Sequence, residues 1–170
     1  MSDLHWMTVA EAARAIATRE LSPVELMNSL LERIGRLDPK LNVFIRLDGD
    51  AAINAARTAE AEIVSGHQRG PLHGVPVGIK DILDVAGLPT TCHSKVLIDN
   101  VASADAVCVS RLRSAGAVVL GKLSTHVFAH SDHRVAPRQT PAGCTGLQPA
   151  DQIGRANAAA FQVGKQLVTG

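Results

Sequence analysis

The sequence predicts an α/β fold, and three segments between residues 75 and 121 predict it. The apolar run at residues 75–79 is typical of a buried strand, and residues 117–121 (AVVLG) form a second such run. Residues 104–115 lie between them and carry helical spacing. Strand, crossover helix and strand in this order describe an α/β unit, and open α/β sheets bind ligands at the carboxyl ends of their strands.

The composition favours a single globular domain. The chain has 170 residues, of which 46% are hydrophobic and 19% are charged, so it can form a sizeable core and disorder is not expected. The formal net charge is +1, and only 2% of the residues are aromatic. A nucleic-acid-binding surface is therefore not expected, since it would need basic patches or stacking rings.

The cysteine and hydropathy patterns favour a cytoplasmic protein. Cys92, Cys108 and Cys144 are odd in number and form no C-x-x-C pair, so neither a disulfide framework nor a zinc ribbon is indicated. The N-terminus has no apolar signal core, and no stretch approaches the length of a membrane span. We expect an unexported chain in a reducing compartment, without a membrane partner.

Helices are predicted for much of the first third of the chain. Thr8 and Glu11 form a capping box, and Ser22 followed by Pro23 marks the beginning of a second helix. Apolar residues at three- and four-residue spacing predict the core face of this second helix. They are Val24, Leu26, Met27, Leu30, Leu31, Ile34 and Leu37.

Two further elements and one set of core residues complete the predicted fold. Residues 42–47 alternate like a short strand, and the Ala-rich helix that follows ends at Gly66. The helix at residues 104–115 is expected to end at Gly116. Its predicted buried residues are Val107, Val109, Leu112 and Ala115.

Lys80 is the charged residue that ends the first apolar run. In one interpretation it is a solvated strand end, whose stem packs while its ammonium reaches water. In the other it lies in a low-dielectric pocket, which lowers its pKa and lets it accept a proton near neutral pH, as a base for a serine. Along the strand, Lys80 shares one side with Pro76 and Gly78, opposite Val75, Val77 and Ile79.

Two other motifs resemble a phosphate-binding loop and a metal site, but the residues around them do not fit those sites. Residues 116–122 spell G-x-x-x-x-G-K, yet Leu123 follows Lys122 where a P-loop needs a hydroxyl, and the intervening residues predict a strand. His126, His130 and His133 have a spacing that a helix could turn toward a metal, but their segment is irregular and offers no carboxylate as a general base. We expect neither a phosphate site nor a metal site.

Two blocks of the sequence resemble the amidase signature family, which includes bacterial amidases and the A subunit of the glutamyl-tRNA(Gln) amidotransferase. The first block is GPLHGVPVGIKDILDVAGLPTT, and the second is SADAVCVSRLRSAGAVVLGKLST. The resemblance covers residues 5–129 and is most specific in GVPVGIKD.

The resemblance implies a fold and a mechanism. Members of the family have helices packed on a mixed β-sheet, and they cleave carboxamide C–N bonds with a Ser, cis-Ser and Lys triad, without metal or organic cofactor. Lys80 stands where the family has the triad lysine, and Asp81 takes a neighbouring structural position. The implied substrate is a small-molecule amide.

The two serines of that triad have no counterpart in the sequence. The family pattern has Glu-Phe-Ala and then a GGSSGGS-like block, whereas residues 127–129 read Val-Phe-Ala and no such block follows. PAGCTG could be aligned with the block, placing Cys144 at the middle serine and Thr145 beside it, but the glycines that should follow are missing. No serine occurs after Ser131.

The sequence therefore predicts two parts. Residues 1–130 form the N-terminal part of an amidase domain, and residues 131–170 form a divergent tail that is irregular except for a short helical pattern, as a frameshifted gene would produce. The chain is then a family hydrolase that lacks its serines and is inactive alone. The alternative is a non-catalytic remnant or module that associates with another chain, or with itself through an exposed sheet edge.

Overall fold

The computed structural model describes residues 4–129, in which four α-helices and three strands form an α/β fold, as the sequence predicts. The helices are α1 (Val9–Ala17), α2 (Pro23–Leu41), α3 (Gly49–Val64) and α4 (Val107–Ser114). The strands are β1 (Phe44–Leu47), β2 (Pro76–Lys80) and β3 (Val118–Leu123). Short 3-10 helices lie at Leu4–Trp6, Lys95–Leu97 and Val127–Ala129. Within this part of the chain, no helix combines the length and the apolar character needed to cross a bilayer.

The three strands form one mixed sheet in the order β1-β3-β2. The central strand β3 is antiparallel to β1 and parallel to β2. Helix α4 connects β2 to β3, which confirms the predicted strand, helix and strand unit. Because β2 and β3 are parallel, their carboxyl ends meet at one edge of the sheet, where Lys80 pairs with Leu123.

Helices cover both faces of the sheet. Helices α2 and α3 pack on one face of β3, and the buried residues there are Met27, Ala52, Ala56, Val118 and Leu120. On the other face, Val109 of α4 packs with Ile79 and Val85, and Val119 of β3 contacts this cluster. Val119 lies between Val118 and Leu120, so the alternation of side chains along β3 accounts for the two faces. The edge at which β2 and β3 end is thus supported from both sides.

Both predicted helix beginnings are confirmed. The Thr8 hydroxyl accepts the backbone N–H of Glu11, and the Glu11 carboxylate accepts the backbone N–H of Thr8, which is the predicted capping box. Ser22 Oγ accepts two backbone N–H groups in the first turn of α2, and Pro23 is its first helical residue. These local signals therefore fix where α1 and α2 begin.

Two predicted core residues are exposed instead. Helix α4 begins at Val107 rather than at residue 104, and the Val107 side chain is 70% exposed. Val107 and the buried Val109 are two residues apart on a helix, so they lie on nearly opposite faces. Leu37, expected on the core face of α2, is 37% exposed because it lies near the end of the helix, where Leu41 is exposed as well.

His73 is buried in the turn that precedes β2. Its Nδ1 accepts the backbone N–H of Arg69 at 3.1 Å, and its Nε2 lies 2.9 Å from Glu62 Oε2 in a contact that is not aligned as a hydrogen bond. The Arg69 guanidinium pairs with the other oxygen of Glu62. The pKa of Glu62 lies below its ordinary value, chiefly because Arg69 donates a hydrogen bond to the carboxylate.

The lowered pKa of Glu62 predicts a loss of stability in acid. A carboxyl group with a lower pKa in the folded than in the unfolded chain stabilises the fold above the unfolded pKa, and this contribution disappears as the pH falls through the folded pKa. We therefore expect the Glu62 contribution to be complete above the ordinary pKa of 4.5 and to decline below it. Urea unfolding from neutral pH down to about pH 3 measures this change.

The matched variants for this measurement are Glu62→Gln and Glu20→Gln, since the Glu20 side chain is exposed. Glu62→Gln should be less stable than the wild type at neutral pH and should lose less stability on acidification. Glu20→Gln should keep the acid-induced loss of the wild type. If Glu62→Gln loses as much stability in acid as the wild type does, the Arg69 contact does not stabilise the fold.

Candidate active site

Lys80 lies at the carboxyl end of β2, as the sequence predicts. It is the last residue of the strand, and its carbonyl accepts the N–H groups of Ile82 and Leu83 at 2.8 and 3.0 Å, so the chain turns directly after it. The Lys80 side chain is exposed. Within residues 4–129, Lys80 therefore has the surroundings of a solvated strand end and not those of a low-dielectric pocket, because β2 is an outer strand of the described sheet.

The two sides of β2 agree in part with the predicted alternation. Val77 and Ile79 pack together toward α4, as expected. Val75 precedes the strand and packs with the cluster of α1 instead. On the opposite side, a Cβ at Gly78 would lie 3.0 Å from the Leu123 side chain. The small residue at position 78 thus makes room for the neighbouring strand.

A fully buried ion pair lies next to Lys80 in the chain. Asp81 Oδ1 is 3.0 Å from Lys122 Nζ, and both side chains are 0% exposed. The Lys122 ammonium also donates to the Pro89 carbonyl at 3.0 Å and to Thr90 Oγ1 at 2.9 Å, so each of its three protons has an acceptor. The Asp81 carboxylate also accepts the backbone N–H and the hydroxyl of Thr91. Both charges are compensated inside the protein, as burial requires.

The Asp81–Lys122 pair was not expected from the sequence, although a signal for it exists. The strand predicted between Gly116 and Lys122 is confirmed as β3, and the residues around Lys122 are buried. A lysine inside a fully buried strand needs a buried partner of opposite charge. That partner is Asp81, and its complete burial agrees with the structural role that the resemblance implies for it.

A loop that carries Cys92 and His93 lies against the ends of β2 and β3. The Cys92 N–H donates to the Asp81 carbonyl at 3.0 Å, and the Cys92 carbonyl accepts the Phe128 N–H at 2.9 Å. Cys92 and His93 have φ angles of 49° and 57°, which are uncommon for residues other than glycine. His93 Nδ1 lies 3.3 Å from Ser124 Oγ. The edge that carries the lysine therefore also gathers an imidazole and a hydroxyl, which are groups that can move protons.

The remaining candidate residues do not join this cluster in the described structure. His126 is exposed, and no group of His, Cys, Asp and Glu side chains among residues 4–129 could hold a metal. His130 and His133 lie outside the described residues. Cys144 and Thr145, which could be aligned with the serine block, lie outside them as well, as does the expected divergent tail at residues 131–170.

Comparisons with known proteins agree with this architecture. The family model "Amidase" matches residues 25–138. The chain is 43% identical over 129 residues to the A subunit of the glutamyl-tRNA(Gln) amidotransferase of Acidothermus cellulolyticus, covering 76% of this chain and 26% of that one. It is 39% identical over 143 residues to an acylamidase of Rhodococcus erythropolis, covering 82% and 30% of the two chains.

A solved structure shows the same relationship. The native peptide amidase of Stenotrophomonas maltophilia superposes with a TM-score of 0.69 at 36% sequence identity, covering 74% of this chain and 26% of that one. The chain thus spans 26% to 30% of the length of these relatives. Sequence and structure point to the same group of proteins, and the matched segment includes Lys80 and the whole described sheet. The chain therefore belongs to the amidase signature family and represents the N-terminal part of an amidase domain.

Proposed function

We propose that Lys80 is the general base of an amide hydrolase that uses a Ser, cis-Ser and Lys triad. The observation that carries this proposal is the position of Lys80 at the carboxyl end of a parallel strand pair, in a chain of the amidase signature family. Open α/β sheets bind their ligands at this edge. Relatives named acylamidase and peptide amidase favour a small-molecule amide as the substrate.

In the proposed reaction, the neutral amine of Lys80 accepts a proton from the middle serine. That serine accepts the proton of the nucleophilic serine, whose oxygen attacks the amide carbonyl carbon. The C–N bond then breaks, and the proton returns through the same relay to the leaving nitrogen, which departs as ammonia or an amine. Water attacks the acyl carbon and gives one proton to the relay. The bond between that carbon and the serine oxygen then breaks, the serine takes up the proton from the relay, and the carboxylic acid is released. These steps use no metal and no organic cofactor.

This role requires more protein around Lys80 than residues 4–129 provide. Burial disfavours the charged form of a lysine, so a neutral Lys80 near physiological pH needs a covered β2 edge. Its side chain is exposed here, and no serine occurs in the sequence after Ser131. We therefore propose that the 170-residue chain does not hydrolyse amides alone.

The similarity to proteins named as amidases favours a hydrolase over a non-catalytic module. One relative is by name part of a multi-chain amidotransferase, which is the reason to include a partner chain in the proposal. Self-association through an exposed sheet edge stays a prediction, and sedimentation velocity measures it. Residence in the cytoplasm stays a prediction from the cysteine and hydropathy patterns.

The function is tested in a chimera. Residues 25–129 of this chain replace the matching segment of the Rhodococcus acylamidase, whose remainder supplies the rest of the fold. The chimera should hydrolyse an acylamide, and Lys80→Met should lower kcat by about 10²- to 10⁴-fold. Lys95→Met, which changes another exposed lysine, should leave kcat within about twofold of the unmodified chimera. Full activity of the Lys80→Met chimera would disprove the proposed role.

The inactivity of the isolated chain has its own measurement. The purified 170-residue protein should release no ammonia from simple aliphatic or aromatic amides. Sustained turnover that disappears in Lys80→Ala would show that the chain supplies its own nucleophile. Stoichiometric labelling by a serine-directed fluorophosphonate would lead to the same conclusion.

A further inference from the structure

The Asp81–Lys122 pair is buried too deeply to meet a substrate, and its stabilising effect is small in principle. Both side chains are 0% exposed. Moving two charges out of water costs about as much as their attraction returns, and apolar residues of similar size often stabilise a protein equally well. Stability alone therefore does not explain why two charges lie at this place.

The pair does connect three segments at the edge where β2 and β3 end. Lys122 belongs to β3, and its ammonium bonds to Asp81 just after β2 and to Pro89 and Thr90 in the loop that follows. The Asp81 carboxylate adds two hydrogen bonds from Thr91. Apolar side chains could fill the same space but could not orient the loop, because hydrogen bonds are directional and apolar contacts are not.

Asp81 also fixes the backbone beside Lys80. Its N–H donates to the Leu123 carbonyl and its carbonyl accepts the Cys92 N–H, each at 3.0 Å. Asp81 is thus held through its side chain and through both adjoining peptide groups. The loop on its other side contains the left-handed residues Cys92 and His93, and such strain persists only where surrounding contacts over-determine the backbone.

We propose that Asp81 and Lys122 are positioning residues, whose ion pair fixes Lys80 at the end of β2 and holds the Cys92–His93 loop beside it. This inference rests on the proposed function of Lys80. It assigns different roles to the two lysines of the edge: the exposed Lys80 exchanges protons with the serine relay, and the buried Lys122 orients the groups around it.

The first test replaces both charges in the 170-residue chain, with Asp81→Leu and Lys122→Met together. We expect a urea midpoint close to that of the wild type, whereas amide hydrogen exchange at position 81 and at Cys92 becomes faster by about tenfold or more. The amide of Ala56, in the middle of α3, is the internal reference and should not change. Unchanged exchange at both positions would overturn the proposal. An unfolded double variant would overturn it as well, because the pair would then act mainly as a stabiliser.

The second test leaves the ion pair intact and changes Thr91. Its hydroxyl donates to Asp81 and accepts the His93 N–H at 3.1 Å. Thr91→Val should accelerate amide exchange at His93, and Thr91→Ser, which keeps the hydroxyl, should restore the wild-type rate. Equal rates in the Val and Ser variants would contradict the proposed hold on the loop. Because exchange does not depend on turnover, these results are distinguishable from a failure of the proposed function, which an inactive chimera would reveal.

Discussion

Replacing Lys122 by methionine should lower the free energy of unfolding by about 3–5 kcal/mol, because the substitution leaves the Asp81 carboxylate buried without its counter-charge. The Pro89 carbonyl and the Thr90 hydroxyl lose a hydrogen-bond donor at the same time. Methionine is close to lysine in length, so a cavity contributes little to the loss. Urea unfolding followed by circular dichroism measures the change.

The same substitution at the other lysine of this edge is the control. The Lys80 side chain is exposed, so Lys80→Met should change the free energy of unfolding by less than about 0.5 kcal/mol. Adding Asp81→Leu to Lys122→Met should recover most of the lost stability, since no buried charge then remains unpaired. Similar losses in the Lys80 and Lys122 variants would contradict the buried pair.

The two lysines also show what the sequence can and cannot predict. The position of Lys80 follows from local information. The apolar run at residues 75–79 predicts a strand, and a charged residue directly after such a run is expected at the end of that strand. Which side chain forms an ion pair with Lys122 depends instead on the register between β2 and β3. Val77 pairs with Val119 but Gly78 pairs with Gly121, so β3 contains one extra residue between these pairs. Such an extra residue turns the side chains that follow it to the other side of the sheet. The alternation of apolar residues in the sequence alone does not reveal this bulge.

The same distinction applies to the helix ends and to the surroundings of Lys80. Thr8 and Ser22 cap their helices through contacts within a few residues, and both caps are confirmed. The exposure of Val107 follows from helical geometry, because Val107 lies two residues from the buried Val109 in α4. The surroundings of Lys80 depend instead on what lies beside β2, which is a tertiary property that periodicity within one segment does not determine.

Gly116→Ala should lower the free energy of unfolding by about 3 kcal/mol or more, since an added Cβ has no space. Gly116 follows α4 with a φ of 87°, and a Cβ there would lie 2.5 Å from Cδ2, 2.7 Å from Cγ and 2.8 Å from Cα of His73. His73 cannot move away freely, because its buried ring accepts the Arg69 N–H and contacts Glu62. The Gly116 carbonyl also accepts the Gly74 N–H at 2.9 Å, so a shift would disturb the entry into β2.

Gly66→Ala separates the energetic cost of the steric clash from the cost of the left-handed backbone conformation. Gly66 follows α3 as Gly116 follows α4, and its φ of 86° is nearly the same, but a Cβ there would meet nothing within 4 Å. This variant should therefore lose only the cost of a left-handed alanine, about 1 kcal/mol. The difference between the two variants in urea unfolding measures the contact with His73. If both lose the same amount, His73 does not pack against Gly116 as described, and the turn that leads into β2 and Lys80 is held by its backbone hydrogen bonds alone.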